Sequence, residues 1–298
     1  MQLNETTIKK ILITGATGNI GIEVIDSLIK LKLHSNIIAG VRDLKTDKEK
    51  LGSYKIDIVK FDFTDTSSFQ SALKGCDILF LLRPPNISEV EKYFKPLIKK
   101  ASEAGIKHIV FLSVQGVERS KIIPHYKIEK LIVESKIAYT FLRPAYFMQN
   151  FTTSLNDDLV KKKKIFLPAG NSKFTLVDVR DIGAVAAVIL TNPERHVNSA
   201  YELTSNEKLT FKEMAVKLSE GLGEEIKYES PNLLKFYLVK RKEKMPAMLI
   251  FVMIMLHYLP RFQKEPAITP SIKELIGEQP ITFEQFISDN KMKLCPDK

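Results

Sequence analysis

The chain predicts an α/β fold, a doubly wound parallel sheet followed by a smaller carboxy-terminal region, and three observations carry that prediction. Short β-branched runs alternate with helical stretches from residue 8 to about residue 142. Several of those runs are apolar almost throughout, as strands covered on both faces are. The first run ends in Gly15-Ala16-Thr17-Gly18-Asn19-Ile20-Gly21 and is followed by an amphipathic stretch over 22–33. Alternation of this kind places ligand sites at the carboxyl ends of the strands.

Taken in order, strands are expected at 8–14, 36–41, 56–61, 78–82, 108–112 and 139–142, with helices near 20–32, 66–74, 87–104 and 122–136. After Pro144 the alternation loosens. Residues 146–160 read as helical, 165–177 as short strands around Gly170, 179–190 as a helix and 201–204 as a strand. Thr210, with Glu213 three residues on, has the form of a capping box for a helix to about Gly221. The expected organisation is a dinucleotide-binding domain over 1–145 and a smaller substrate-covering region over 146–298, of which about 176–192 returns to the sheet.

The chain has 298 residues, 44% hydrophobic and 27% charged, which is the balance of a globular protein able to bury a large core. The first seven residues lack the basic-then-apolar pattern of a signal peptide. Two distant cysteines, Cys76 and Cys295, read as free thiols in a reducing cytoplasm, and five scattered histidines give no metal-ligand spacing. A net charge of +10 is compatible with an anionic ligand, but the charges are spread apart from the clusters over 161–164 and 235–244. No basic recognition helix accompanies them, so a solvated surface is favoured and no nucleic acid is expected. The stretch 248–259 is strongly apolar and lies between Pro246 and Pro260. It is too short for a membrane span, which takes roughly 20 residues. A buried core helix is the favoured reading. A Met-rich wall of an apolar substrate pocket and a membrane or partner surface are the alternatives.

The glycine turn has the form a dinucleotide pyrophosphate needs. The first Gly makes the turn, the second lets backbone N–H groups reach phosphate, and the third lets helix and strand pack closely. Gly15, Thr17, Gly18, Asn19, Ile20 and Gly21 are therefore candidate cofactor residues. Arg42 and Lys45 follow the second strand, where cationic side chains pair with a ribose 2′-phosphate, although Asp43 between them could accept from a bare ribose. NADP(H) is favoured over NAD(H). Asp62 and Phe63 close the third strand, where adenine is contacted; a helix-capping Asp62 beside Thr64 is the competing reading. Leu82 and Arg83 end the fourth strand before Pro84-Pro85 and could border the cofactor, with Arg83 either meeting an anionic group or lying free on the surface.

Ser113 ends the fifth strand, and Tyr126 and Lys130 follow at helical i,i+4 spacing. A nearby ammonium readies a phenol to exchange a proton with a carbonyl or alcohol oxygen, and Ser113 could hydrogen-bond the same atom. His125 and Glu129 form a second i,i+4 pair on the neighbouring face, read here as a surface pair.

Together these residues resemble the short-chain dehydrogenase/reductase superfamily and its NmrA-like branch in particular. The glycine spacing, Tyr139-Thr140-Phe141-Leu142-Arg143-Pro144, Phe147-Met148-Gln149-Asn150, Val177-Asp178-Val179-Arg180-Asp181-Ile182 and Tyr201-Glu202-Leu203-Thr204 carry the likeness, as does the His125/Glu129 pair. The resemblance implies a Rossmann domain, a cytoplasmic location, NAD(P)(H) binding and a role for Lys130 at the nicotinamide ribose. It leaves two functions open. One is an NADP(H)-dependent reductase of a small apolar carbonyl, enone or quinone, with Tyr126 as proton donor. The other is a redox-sensing regulator that binds nucleotide without turnover and signals to a protein partner.

Overall fold

The computed structural model describes residues 9–296; Ile8 and the seven residues before it, in which no signal peptide is read, lie outside them. The chain divides into two compact units. One holds the residues to Pro144 together with Val179–Leu203 and Ser271–Glu278. The other holds Ala145–Asp178, Thr204–Pro270 and the residues from Gln279 on.

Up to Pro144 the elements are β1 (Ile11–Thr14), α1 (Asn19–Lys30), β2 (Ile37–Val41), α2 (Leu44–Leu51), β3 (Asp57–Lys60), α3 (Ser67–Leu73), β4 (Ile78–Leu82), α4 (Val90–Glu103), β5 (His108–Leu112), α5 (Pro124–Glu134) and β6 (Ala138–Pro144). Then come β7 (Tyr146–Phe147), α6 (Asn156–Lys162), β8 (Lys164–Phe166) and β9 (Lys173–Val177), followed by α7 (Val179–Thr191) and β10 (Ser199–Leu203). The remainder is β11 (Lys208–Thr210), α8 (Phe211–Leu222), β12 (Lys227–Glu229), α9 (Leu233–Lys242), α10 (Ala247–Tyr258), α11 (Ser271–Ile276), α12 (Phe283–Asp289) and α13 (Lys291–Leu294).

The first unit is built on one seven-stranded sheet in the order β10-β6-β5-β4-β1-β2-β3, parallel at every pairing. All five residues of β5 and the four of β1 are buried, which is why their sequences read as unbroken apolar runs. The Thr14 hydroxyl accepts from the Leu82 N–H (2.9 Å) and donates to the Phe80 carbonyl (3.1 Å), locking β1 to β4 just before the glycine turn. α1 turns Val24, Ile25 and Leu28 inward, and a Cβ on Gly183 of α7 would meet the Glu23 carbonyl at 2.5 Å, so these helices pack backbone to backbone. α2 has little apolar periodicity; the Asp43 carboxylate starts it by accepting from the N–H groups of Lys45 (2.8 Å) and Thr46 (3.3 Å).

The second unit has a three-stranded sheet, β11-β9-β7, and a two-stranded one, β12-β8, around a core rich in Phe151, Phe166, Phe211, Phe236, Phe283 and Phe286. The expected helix over 146–160 is not continuous. Tyr146 and Phe147 pair with Leu176 and Val177 in parallel, Met148–Thr152 is a 3₁₀ turn, and the α-helix starts only at Asn156. The helical spacing of Met148, Phe151, Leu155 and Leu159 is real, since all four are buried, but a broken path achieves it. The capping box forms as expected: the Glu213 N–H donates to the Thr210 hydroxyl, and the Thr210 N–H donates to the Glu213 carboxylate. The 248–259 stretch is a helix, but not a buried one. Only Ile250, Met253 and His257 of α10 point inward. An all-round apolar composition predicts burial on every side, whereas the helix buries one stripe, with Ile254 partly covered beside it, and exposes most of its other apolar side chains.

Two buried histidines tie stability to pH. In the first unit His108 Nε2 donates to the Thr140 hydroxyl (2.8 Å), which in turn donates to the His196 carbonyl (2.7 Å). In the second unit His257 Nδ1 donates to the Met253 carbonyl (2.6 Å), leaving Nε2 to accept from the Tyr146 hydroxyl (3.1 Å). Burial pushes both imidazoles down to about 4. A base with a depressed folded-state pKa contributes stability above its ordinary value near 6.5, and that stability is lost as pH falls toward 4. Each is worth up to roughly 3 kcal/mol over that window. The urea midpoint is therefore expected to drop steadily from pH 6.5 to 4, ahead of carboxylate protonation; a flat profile there would contradict the assignment.

Candidate cofactor and active site

The carboxyl edge of the seven-stranded sheet gathers most of the residues singled out in the sequence. After β1, Gly15 takes φ +63°, and its side is closed by Leu82, whose Cδ2 would lie 3.2 Å from an added Cβ. Gly18 takes the N-cap position of α1 with no side-chain acceptor, so no side chain claims the amides of the first helical turn. Those amides belong to Asn19, Ile20 and Gly21. Ile20 contributes only its backbone, since its side chain is in the core, and Thr17 stays half-buried in the turn. A Cβ on Gly21 would sit 2.3 Å from the Gly15 carbonyl oxygen, so the turn closes only with glycine there. Open amides at a twelve-residue helix start fit a pyrophosphate.

At the end of β2, Arg42 and Lys45 are both exposed, and among the described residues Arg42 has no hydrogen-bond or ion-pair partner. Asp43 is held as the cap of α2, its carboxylate kept below the usual range by the Lys45 and Thr46 amides. Both bonds fall on Oδ1, which ties the carboxylate to the start of α2. This arrangement fits a phosphorylated ribose better than a bare one.

Asp62 Oδ1 accepts from the Thr64 N–H and hydroxyl, both at 2.8 Å, closing a turn; it does not cap a helix, since α3 starts at Ser67. The Phe63 ring packs edge-on to Phe61 (5.0 Å) and against Phe94 (5.1 Å), so it is a core ring and leaves only its backbone for a ligand. Arg83 is half-buried and not a free surface charge. Its Nη1 donates to the carbonyls of Pro84 (3.0 Å), Pro85 (3.3 Å) and Ile87 (2.7 Å), and its Nε donates to His125 Nε2 (3.3 Å). Burial, together with the neighbouring Arg83 charge, pushes His125 down to about 3, so it is a neutral imidazole whose Nδ1 carries the proton.

On α5 the phase of the helix decides which pair faces the sheet. Ile128, Glu129 and Ile132 are the buried residues of α5, and His125 continues that line one turn earlier. Glu129 is fixed there by Arg143 of β6, which donates to both its carboxylate oxygens (3.0 and 2.7 Å) and also reaches Glu118 (3.4 Å). His125 and Glu129 are thus not the surface pair expected. Tyr126 and Lys130 lie about 100° further round. Tyr126 is half-buried, whereas the Lys130 side chain is 67% exposed and pairs with Glu134 at 3.7 Å. No hydrogen bond joins Lys130 to Tyr126. Ile128 and Ile132 set the helix phase, which turns Glu129 to the sheet and leaves Tyr126 and Lys130 together on the neighbouring face.

Ser113 is where it was expected, just past β5, with its N–H donating to the Leu142 carbonyl (2.7 Å). Its hydroxyl is buried and has no hydrogen-bond partner. An unsatisfied buried hydroxyl is costly, and a ligand group at the strand end would satisfy it. Two further side-chain pairs, one in each unit, hold segments that carry candidate residues. The Gln115 side chain (3.0 Å) and the Gly116 N–H (3.3 Å) donate to Glu202 of β10, pinning the loop after Ser113. In the second unit Gln149 donates to Asp178 (3.0 Å), joining the Phe-Met-Gln-Asn and Val-Asp-Val segments. Neither pair has a local spacing, so neither was visible along the chain. Among the described residues no cluster could hold a metal ion.

Known proteins agree with this architecture. Prestalk A differentiation protein A of Dictyostelium discoideum is 32% identical over 294 residues, covering 97% of this chain and 95% of that protein. NAD(P)H azoreductase of Xenophilus azovorans is 29% identical over 280 residues, covering 93% and 96%. The NADPH-dependent quinone oxidoreductase of Escherichia coli, solved in complex with NADPH, matches with a TM-score of 0.83 at 25% identity, over 94% of this chain and 99% of that one. The NmrA-like family model matches residues 7–287. With its glycine turn, its parallel sheet and a family match over nearly its whole length, the chain belongs to the NmrA-like family.

Proposed function

We propose that the protein is an NADPH-dependent reductase of a small apolar acceptor, and that the acceptor is a quinone rather than a simple ketone. The cofactor half of this reading rests on one juxtaposition: an exposed, unpartnered Arg42 beside an Asp43 whose Oδ1 is committed to capping α2. The reduced nicotinamide supplies the hydride when it is bound. The chain supplies the rest. The first-turn amides of α1 hold the pyrophosphate, Arg42 and Lys45 hold the 2′-phosphate, and the Ser113 hydroxyl binds a polar group of cofactor or acceptor.

The choice of acceptor rests on Lys130. Ketone reduction needs an acid placed to protonate the developing alkoxide. The Lys130 ammonium lies exposed beside Glu134 (3.7 Å) and makes no hydrogen bond to Tyr126, which favours an acceptor that needs no such acid. A quinone takes hydride to a stabilised phenolate-type anion, and water can complete the protonation. The quinone acceptor in the name of the Escherichia coli reductase above is of this undemanding kind.

The test is the steady-state rate of quinone reduction by Tyr126→Phe and Lys130→Ala. Both are expected to stay within about threefold of the parent, whereas loss of a working general acid costs roughly 10²-fold or more. A drop of that size in Tyr126→Phe would return Tyr126 to the mechanism and the acceptor to the carbonyl class.

A further inference from the structure

We infer that the outer face of α9, α10 and the turn after them is a docking surface for an anionic lipid bilayer, which the protein touches without crossing. This stands apart from the reductase reading. α10 holds to its unit through Ile250, Met253 and His257, and α9 through Phe236, stacked on Phe166 at 5.7 Å, and Lys240, buried against Asp158 at 2.5 Å. Ile254 is partly buried against the same core, and most of the remaining apolar side chains of α10 face out. Met248, Leu249, Phe251, Val252, Met255 and Leu256 are 41–75% exposed, and α10 contains no charged residue. Leu234 and Leu238 on α9, one turn apart, and Leu259 and Phe262 beyond α10 extend the same apolar character, and Tyr237 packs on Phe251 (5.8 Å) to join the two helices. Scattered exposed leucines are ordinary, but a contiguous apolar face of this extent marks an interaction site.

The charges beside it select the occupant. From Leu233 to Lys264 the basic residues are Lys235, Lys240, Arg241, Lys242, Lys244, Arg261 and Lys264, against the single acid Glu243. Glu243 is itself neutralised by Lys162 (2.5 Å) and Lys240 (2.9 Å). Arg241, Lys242, Lys244 and Arg261 remain exposed. Two copies meeting through this face by a two-fold axis would bring like-charged rims together, so self-association is disfavoured. An apolar helix with a basic border is the composition that settles into an anionic headgroup layer. Twelve residues make about 18 Å of helix, well short of a hydrocarbon core of about 30 Å, so the helix lies in the plane of the interface. In agreement, no helix among the described residues is long and apolar enough to cross a membrane.

The test is co-sedimentation of the full-length protein with vesicles of phosphatidylcholine, alone or mixed with phosphatidylglycerol in a ratio of two to one. Partition into the mixed vesicles is expected, weakening as salt is raised. The double change Phe251→Asp with Met255→Asp should cut it at least about tenfold, and Lys242→Glu with Lys244→Glu should do the same on anionic vesicles only. Unchanged NADPH affinity and thermal midpoint confirm that the variants are folded. Absence of partition by the parent, or partition unaltered in the first double variant, overturns the inference. Self-association abolished by the same change without vesicle binding would assign the face to a second copy. A raised KM for the acceptor without vesicle binding would assign it to substrate. Either result also overturns the lipid assignment.

Discussion

Gly21→Ala is expected to destroy NADPH binding, weakening it by about 100-fold or more, and to lower the stability of the sheet unit. The reason is geometric. The added methyl would stand 2.3 Å from the Gly15 carbonyl oxygen and 2.8 Å from the Ala16 Cα, both backbone atoms that no rotamer change can move. The chain would have to open the turn between β1 and α1, shifting the first-turn amides away from a common phosphate. Overpacking of this kind costs roughly 1–3 kcal/mol before any loss of function is counted. Gly52→Ala is the matched control, because a Cβ there meets nothing within 4 Å and the backbone is already helical at φ −61°. Fluorescence titration with NADPH and a thermal melt of both variants decide the matter. Gly21→Ala binding NADPH within about threefold of the parent would remove the turn from the phosphate site.

Arg42→Ala is expected to weaken NADPH binding by about 10- to 100-fold while leaving NADH binding almost unchanged, the scale of one or two charge-assisted hydrogen bonds. Asp43→Ala should behave in the opposite way. It removes a helix cap, at a cost of about 1 kcal/mol in stability, without shifting the preference between the two cofactors. The pair of variants separates the two readings that Arg42-Asp43 leaves open in the sequence. Equal losses for both cofactors in Arg42→Ala, or a switch of preference in Asp43→Ala, would contradict the 2′-phosphate assignment.

The regular part of the molecule was legible because its strands are buried on both faces. Ile78–Leu82 and His108–Leu112 have the bounds that their apolar runs predict. α2 escaped notice because Leu44 and Leu51 are its only apolar residues, and a side-chain cap rather than a buried stripe starts it. Residues 146–160 misled for the reverse reason: their helical spacing is genuine, yet Tyr146 and Phe147 gain more by pairing with β9 than by entering a helix. Around the candidate site, the positions of the glycine turn, Arg42 and Ser113 were readable because backbone conformation and strand ends fix them. The directions of the Lys130, Arg83 and Phe63 side chains were not, since they depend on partners far along the chain or on helix phase. Glu129 is set by Arg143, fourteen residues on, and that ion pair accompanies the phase that turns Lys130 outward.

The most direct measurement is the loss of reduced-nicotinamide absorbance when the purified protein is given NADPH and a panel of quinones, enones and aromatic aldehydes. Turnover with quinones, a clear preference for NADPH over NADH, and little or no turnover with aldehydes are expected. Tight NADPH binding with no oxidation by any acceptor would contradict the reductase reading, and would point instead to a protein that reads the nucleotide without using it.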